Sequence, residues 1–293
     1  MFKISKDQVI YAMSPTNAPI LTVGPKSQIE FETSDALSGQ IKSATDHFDA
    51  LDWNRVNPAT GPVYIKGAEP GDILSVKIEK IEIANVGVTI TGKNMGVLGH
   101  ILEENSIKII PIENNMAIFS ENIQLPLNKM VGVIGTAPKG ETISCGVPDM
   151  HGGNMDCKEI KEGATILLPV NVPGGLLALG DLHAVMADGE ICVSGLEVAG
   201  KVVVTVDVIK NKNLPLPMIF SDTHIMTLAS HEDLDKAVDM AVINMVSYLN
   251  NEHGFAKDEA AMLLSLAGDV RICQVVDPKK TIRVELCKKH IKS

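Results

Sequence analysis

The residue types best suited to chemistry gather between Cys145 and Glu197. Gly180-Asp181-Leu182-His183 leads through Ala184-Val185-Met186-Ala187 into Asp188-Gly189-Glu190, and Asp-Gly is a strong signal for a two-residue hairpin. If 181–187 is a strand, Asp181 and His183 project to one face, because side chains alternate with period two. A regular hairpin sets Ala187 opposite Glu190, Val185 opposite Cys192 and His183 opposite Ser194, and brings Glu190 to that same face. One imidazole and two carboxylates on a sheet face make either a solvated surface or a metal and acid/base site. The ladder also separates them: at about 3.3 Å per residue, Glu190 stands roughly 13 Å from His183. That distance suits a general base or an outer group better than a ligand of the same ion.

Upstream, Pro148-Asp149-Met150-His151-Gly152-Gly153-Asn154-Met155-Asp156 combines a Gly-Gly pair, which permits positive φ, with His151, Asn154 and Asp156, which coordinate or hydrogen-bond. Alone it reads equally as a polar loop. Cys145, His151 and Cys157 carry zinc-compatible atoms but no tight Cys-x-x-Cys pair, which argues against a structural zinc site. Cys145 is also a candidate nucleophile, paired with a His or with Lys139 and Glu141, against the commoner use of a free cysteine in packing. There is no Gly-x-Ser-x-Gly elbow. Gly87-Val88-Thr89-Ile90-Thr91-Gly92-Lys93 has P-loop spacing. Asn94 follows where a Ser or Thr would hold magnesium, so the stretch reads as a strand end and turn.

These residues need a frame, and the pattern predicts strands. Leu74, Val76 and Ile78 alternate with Ser75, Lys77 and Glu79. Val202, Val204, Val206 and Val208, and later Ile282, Val284 and Leu286, repeat with period two. Turn chemistry at Asn57-Pro58-Ala59-Thr60-Gly61-Pro62, Gly67-Ala68-Glu69-Pro70-Gly71-Asp72 and Val172-Pro173-Gly174-Gly175 separates the runs. Leu234, Ala237, Val238, Ala241, Met245, Val246 and Leu249 keep helical spacing, with Ser230 and Asp233 resembling a capping box. Lys257 to Ala267 reads as a second helix closed by Gly268. The expectation is a mainly β fold, sandwich- or barrel-like, with a C-terminal α+β unit containing a helical pair. Three spans follow: an N-terminal β region at 1–140, a β-hairpin region with the candidate site at 141–212, and an α+β unit at 213–293 with helices near 231–249 and 257–267.

Bulk properties narrow the function class. With 293 residues the chain can bury a large core. Its 36 acidic against 26 basic side chains give a formal charge of -10, which repels phosphate backbones; the short basic stretch Lys288-Lys289-His290-Ile291-Lys292 reads as a solvated end. One Trp and three Tyr leave little for stacking bases. No nucleic-acid or membrane partner is expected, since no apolar run reaches the length of a spanning helix. Five scattered cysteines and the absence of an apolar leader point to reduced thiols in the cytoplasm.

Six stretches taken in order carry a resemblance. They are Glu32-Thr33-Ser34-Asp35-Ala36-Leu37-Ser38-Gly39-Gln40, Asn57-Pro58-Ala59-Thr60-Gly61-Pro62, Gly67-Ala68-Glu69-Pro70-Gly71-Asp72, His151-Gly152-Gly153-Asn154-Met155-Asp156, Gly180-Asp181-Leu182-His183 and Asp188-Gly189-Glu190. Together the sequence resembles the acetamidase/formamidase family over most of its length. Ala187, where formamidase-like members carry Gln, places it nearer the shorter, acetamidase-like branch. The resemblance implies a mainly β fold, hydrolysis of small aliphatic amides to carboxylate and ammonia, a divalent metal such as zinc, and a homodimer or larger assembly; the carboxylates beside Gly turns suit calcium as well. Carried over by motif, Asp35, Asp156, Asp181 and His183 are the expected metal ligands. Glu190 is the expected base and Asn154 the donor to the oxyanion. His47 and Asp49 are further candidates outside those stretches. Two alternatives stand beside this reading: a non-catalytic metal- or small-ligand-binding β module, and a Cys145 thiol amidase.

Overall fold

The computed structural model describes residues 1–46 and 48–291, the Asp49 side chain excepted. Among the further ligand candidates, His47 and the Asp49 side chain therefore lie outside the described residues, as does Lys292 of the basic stretch.

Two large sheets face each other. The 9-stranded sheet runs in spatial order Phe2–Ile4, Ser27–Thr33, Gly200–Ile209, Ile73–Ile83, Thr165–Pro169, Met218–Phe220, His224–His231, Lys280–Cys287 and Gly268–Gln274. It draws strands from all three spans of the sequence. At the centre of the 11-stranded sheet, Leu177–His183 lies between Met130–Gly135 on one side and Glu197–Val198 and Ala59–Ile65 on the other. Phe31, Val76, Ile78, Val202 and Val204 of the first sheet share one buried cluster with Val63, Val131, Ile134, Leu177, Leu179 and Leu182 of the second. That shared cluster makes the fold a β-sandwich.

Period two explains which residues fill it. Leu74, Val76 and Ile78 are buried and Lys77 is exposed, as the alternation requires. The pairing then slips: Val204 faces Ile78 while Val203 faces Lys80. Glu79 is the extra residue of a bulge, and from there the buried positions change phase to Ile81. Val86–Thr91 pairs with Ser106–Glu113, so the P-loop-like spacing is indeed a strand end and turn.

Helix α1 (Leu234–His253) and helix α2 (Lys257–Ala267) cover the outer face of the 9-stranded sheet at its C-terminal end. Ala237, Ala241, Met245 and Leu249 of α1 and Leu264 of α2 pack on Ile225, Ile282, Val284 and Leu286. The N-cap differs from expectation. Asp233 alone caps α1 by accepting from the Lys236 amide at 3.0 Å, because Ser230 belongs to the preceding strand and bonds Thr281. Gly254, at φ 72°, ends the helix in the left-handed conformation. No helix among the described residues is long and apolar enough to cross a membrane.

Candidate active site

The centre of the 11-stranded sheet sets the site. Leu177–His183 pairs with Met130–Gly135, which in turn pairs with Gly152–Asn154. On its other side His183 is directly opposite Glu197. Asp181 and His183 thus arrive on one strand, Glu197 across the ladder, and Asp156 just past the neighbouring strand's end. Asp181 does not follow the plain pleat: its φ is 55°, and Asp156 and Glu190 are also left-handed at 42° and 41°. The room for two carboxylates comes from Gly132. The register places it opposite Asp181, and a Cβ there would lie 2.5 Å from Asp156 Oδ1 and 2.7 Å from Asp181 Oδ2.

Glu190 reaches the same place by a route that corrects the hairpin expectation. Asp188-Gly189 is not a two-residue turn, since the strand partner of His183 is Glu197 rather than Ser194. The intervening loop is closed at its base by Ala184 N–H donating to Leu196 O and Leu196 N–H donating to Val185 O, both at 2.9 Å. Its middle is fastened elsewhere. Arg283, fully buried, donates in a fork to both oxygens of Asp188 at 2.6 and 2.9 Å, and Gly189 N–H donates to Cys273 O at 2.9 Å. The expected separation of roughly 13 Å therefore does not hold. Ligand atoms of Asp156, His183 and Glu190 all lie within 4.8 Å of one another, as do those of Asp181, His183 and Glu197.

The Nε2 edge of His183 is surrounded by acids. Its Nε2 is 3.2 Å from Asp181 Oδ1, 3.1 Å from Glu197 Oε2 and 3.7 Å from Asp156 Oδ1. Its Nδ1 faces the Met186 sulfur at 3.3 Å. A further acid, Asp277, enters from the turn before Lys280–Cys287 and accepts from Asn154 Nδ2 at 3.0 Å. Among the described residues no Lys or Arg pairs with Asp156, Asp181, Glu190, Glu197 or Asp277.

Burial, reinforced by like charges, therefore governs their titration. Burial and then Glu190 and Asp181 hold the Asp156 carboxyl well above the usual range, and burial with Asp156 and Asp181 does the same to Asp277. Burial, opposed by His183 and aided by neighbouring acids, pushes Glu190 and Glu197 up to about 8. For Asp181, burial is outweighed by His183, which keeps its carboxyl low. For His183, burial is outweighed by Glu197 and Asp181, which raise it well above an ordinary imidazole. Without a cation this site must hold protons.

A fit to a divalent cation rests on the unused oxygens. Asp156 Oδ1, Glu190 Oε2 and Asn154 Oδ1 are buried and make no hydrogen bond, in a fold where such groups ordinarily find partners. An imidazole among carboxylates is a donor set for zinc, and the excess of oxygen also admits calcium.

Other expected residues stand apart. Asp35 accepts from the amides of Leu37 and Gly39 at 2.9 and 3.1 Å, so its carboxylate closes a turn and does not join the cluster. Cys145, His151 and Cys157 form no metal-binding group among the described residues. Cys145 is fully buried, its thiol meets Ile10 O at 3.6 Å, and burial pushes it up to about 12, the reverse of an activated nucleophile. Burial lowers His151 to about 4, Asp149 and Lys279 opposing each other. The sequence reading missed Glu197 and Asp277. A register of His183 against residue 197 would have found the first. Asp277, before Pro278, looks like any turn residue.

A family model described as the acetamidase/formamidase family matches residues 6–146 and 141–288. The chain belongs to the acetamidase/formamidase family. An acetamidase structure from Bacillus halodurans superposes with a TM-score of 0.97 at 45% identity, covering 99% of this chain and 98% of that one. One from Thermoanaerobacter tengcongensis, described as a predicted acetamidase/formamidase, gives 0.96 at 48% identity, covering 99% and 96%. The named acetamidase of Mycolicibacterium smegmatis is 27% identical over 64% of this chain and 63% of its own length. The matches to curated relatives span between 60% and 80% of those proteins' lengths. In this acetamidase/formamidase family chain, Asp156, Asp181, His183 and Glu190 all line a single cavity.

Proposed function

We propose that this protein is a divalent-metal-dependent hydrolase of small aliphatic amides of the acetamide and formamide kind, giving carboxylate and ammonia. The observation that carries the reading is the buried His183 cluster, with its unpartnered carboxylate oxygens, lining a cavity of about 350 Å³. Asp156, Asp181 and His183 would hold the ion. Zinc is the proposed metal, with calcium the alternative for the oxygen-rich set. When bound, such an ion lowers the pKa of a neighbouring water toward about 7 and polarises the amide carbonyl.

The chain's own groups do the rest. Glu190, on its anchored loop, would take a proton from water and return it to the departing nitrogen. Asn154 gives one N–H to Asp277, leaving its second for the carbonyl oxygen as negative charge grows there. Glu197 and Asp277 surround these groups, held protonated by burial, and would release protons as a cation enters. The expected homodimer or larger assembly and cytoplasmic setting belong to the same reading; light scattering at working concentration tests the first.

Ammonia release from acetamide, with and without a chelator, tests the function. Activity should vanish on chelation and return with zinc. Glu190→Gln should retain the metal yet lose about 10²–10⁴ in turnover. Full activity in that variant would remove Glu190 from the mechanism.

A further inference from the structure

The acids share their cavity with apolar side chains: Leu37, Trp53, Val56, Ile90, Val193 and Pro278 line the same volume as Asp156 and Glu190. Leu37 and Ile90 belong to a separate buried cluster with Phe48 and Leu51, against which Val56 and Val193 pack, so the wall has its own small core. Its loops are tied down. Asp35 fixes the turn that carries Leu37, and Ser38 Oγ donates to Arg55 O at 2.6 Å. Gln40 Oε1 accepts from Asp52 N at 2.9 Å, and Asp52 caps the short helix Trp53–Arg55. Trp53 rests against Phe48 with ring centroids 5.7 Å apart, yet its side chain remains 49% exposed at the wall.

A carbonyl engaged by the acids would leave its acyl group to meet this apolar lining. Acetamide would present a single methyl there and leave most of about 350 Å³ to water, whereas small-molecule sites of such size bury most of a ligand against apolar lining. We propose that the preferred substrates are primary amides with an extended apolar acyl group, of hexanamide or phenylacetamide size, laid along Leu37, Trp53 and Val193. This rests on the amidase reading. The chemistry is unchanged: water adds, the C–N bond breaks, and the carboxylate and ammonia leave.

The test compares metal-loaded enzyme on acetamide, butanamide and hexanamide, alongside a binding titration. kcat/KM should rise by up to about fourfold per buried methylene, and at least about tenfold from acetamide to hexanamide. Trp53→Ala should collapse that ratio toward unity. Trp53 is the only tryptophan in the chain, so its emission reports binding without turnover: hexanamide should shift it to the blue at concentrations where acetamide does not. Acetamide turned over with a flat or falling series and no emission change overturns this inference and leaves the amidase reading intact. A hexanamide-specific shift without hydrolysis of any amide supports the pocket and sinks the amidase reading.

Discussion

Gly132 offers the sharpest test of the cluster's geometry. A Cβ at this position would stand 2.5 Å from Asp156 Oδ1, 2.7 Å from Asp181 Oδ2 and 2.9 Å from Asp181 O. Ordinary contact begins near 3.4 Å. In Gly132→Ala the two carboxylates must therefore retreat by about 0.9 and 0.7 Å, the differences from 3.4 Å. Neither can do so freely, because both residues are locked at positive φ and Asp181 sits within a strand paired on both sides. A displacement near 1 Å at reacting groups costs about 10²-fold in rate, and overpacking here should cost about 1–3 kcal/mol of stability. Ammonia release, metal content by mass spectrometry and urea denaturation measure the three effects. Gly24→Ala is the control, since an added Cβ there meets nothing within 4 Å. Gly132→Ala with full turnover and full metal content would refute the placement of Asp156 and Asp181 as neighbouring ligands.

Three further outcomes follow from the same groups. Arg283→Met strands Asp188 with Lys158 alone; losing one partner of a largely buried pair should cost about 3 kcal/mol in urea. It should lower kcat more than it raises KM, because Asp188 anchors the loop that delivers Glu190. Cys145→Ala should keep amide turnover and cost about 1 kcal/mol of packing; a dead variant with chelator-resistant activity would revive the thiol mechanism. In chelator, Glu190 and Glu197 titrate at about 8 in the fold against an ordinary 4.5, so the folded state holds extra protons between those values. The stability from those protons is complete below the unfolded pKa and is lost as pH rises through the folded one. Metal-free protein should thus melt lower at about pH 8 than at about pH 5, with a divalent ion reversing the loss; the opposite trend contradicts the assignment.

The strands and helices were legible because their signals are local. Leu74, Val76 and Ile78 announce a buried face by spacing alone, and the α1 stripe does the same with a helical period. The bulge at Glu79 was not legible, since it depends on what Gly200–Ile209 offers across the ladder. Within the site, Asp156, Asp181 and His183 were found through motifs, but their convergence depends on a register that a hairpin signal misled. Asp188-Gly189 is sound turn chemistry overridden by tertiary bonds: Arg283 and Cys273 hold it against another part of the chain. Asp277 was invisible because it comes from the turn after Gly268–Gln274, far along the chain and without a motif of its own.

That mixture explains why the site lies where it does. Holding five acids around one imidazole is unfavourable in both backbone and charge. Three of them take left-handed dihedrals, at a cost on the order of 1 kcal/mol or more each, and burial forces most of them to keep protons. Only a rigid surround can impose such an arrangement before any ligand arrives. The centre of the 11-stranded sheet provides it, with Leu177–His183 buried along its whole length and paired on both edges. The C-terminal unit supplies the remainder, since Asp277 and the Arg283 clamp on Asp188 come from the turn and strand that α1 packs behind. A divalent cation bound there would relieve the repulsion that the sandwich has enforced, so metal affinity and fold stability would be two readings of one free energy.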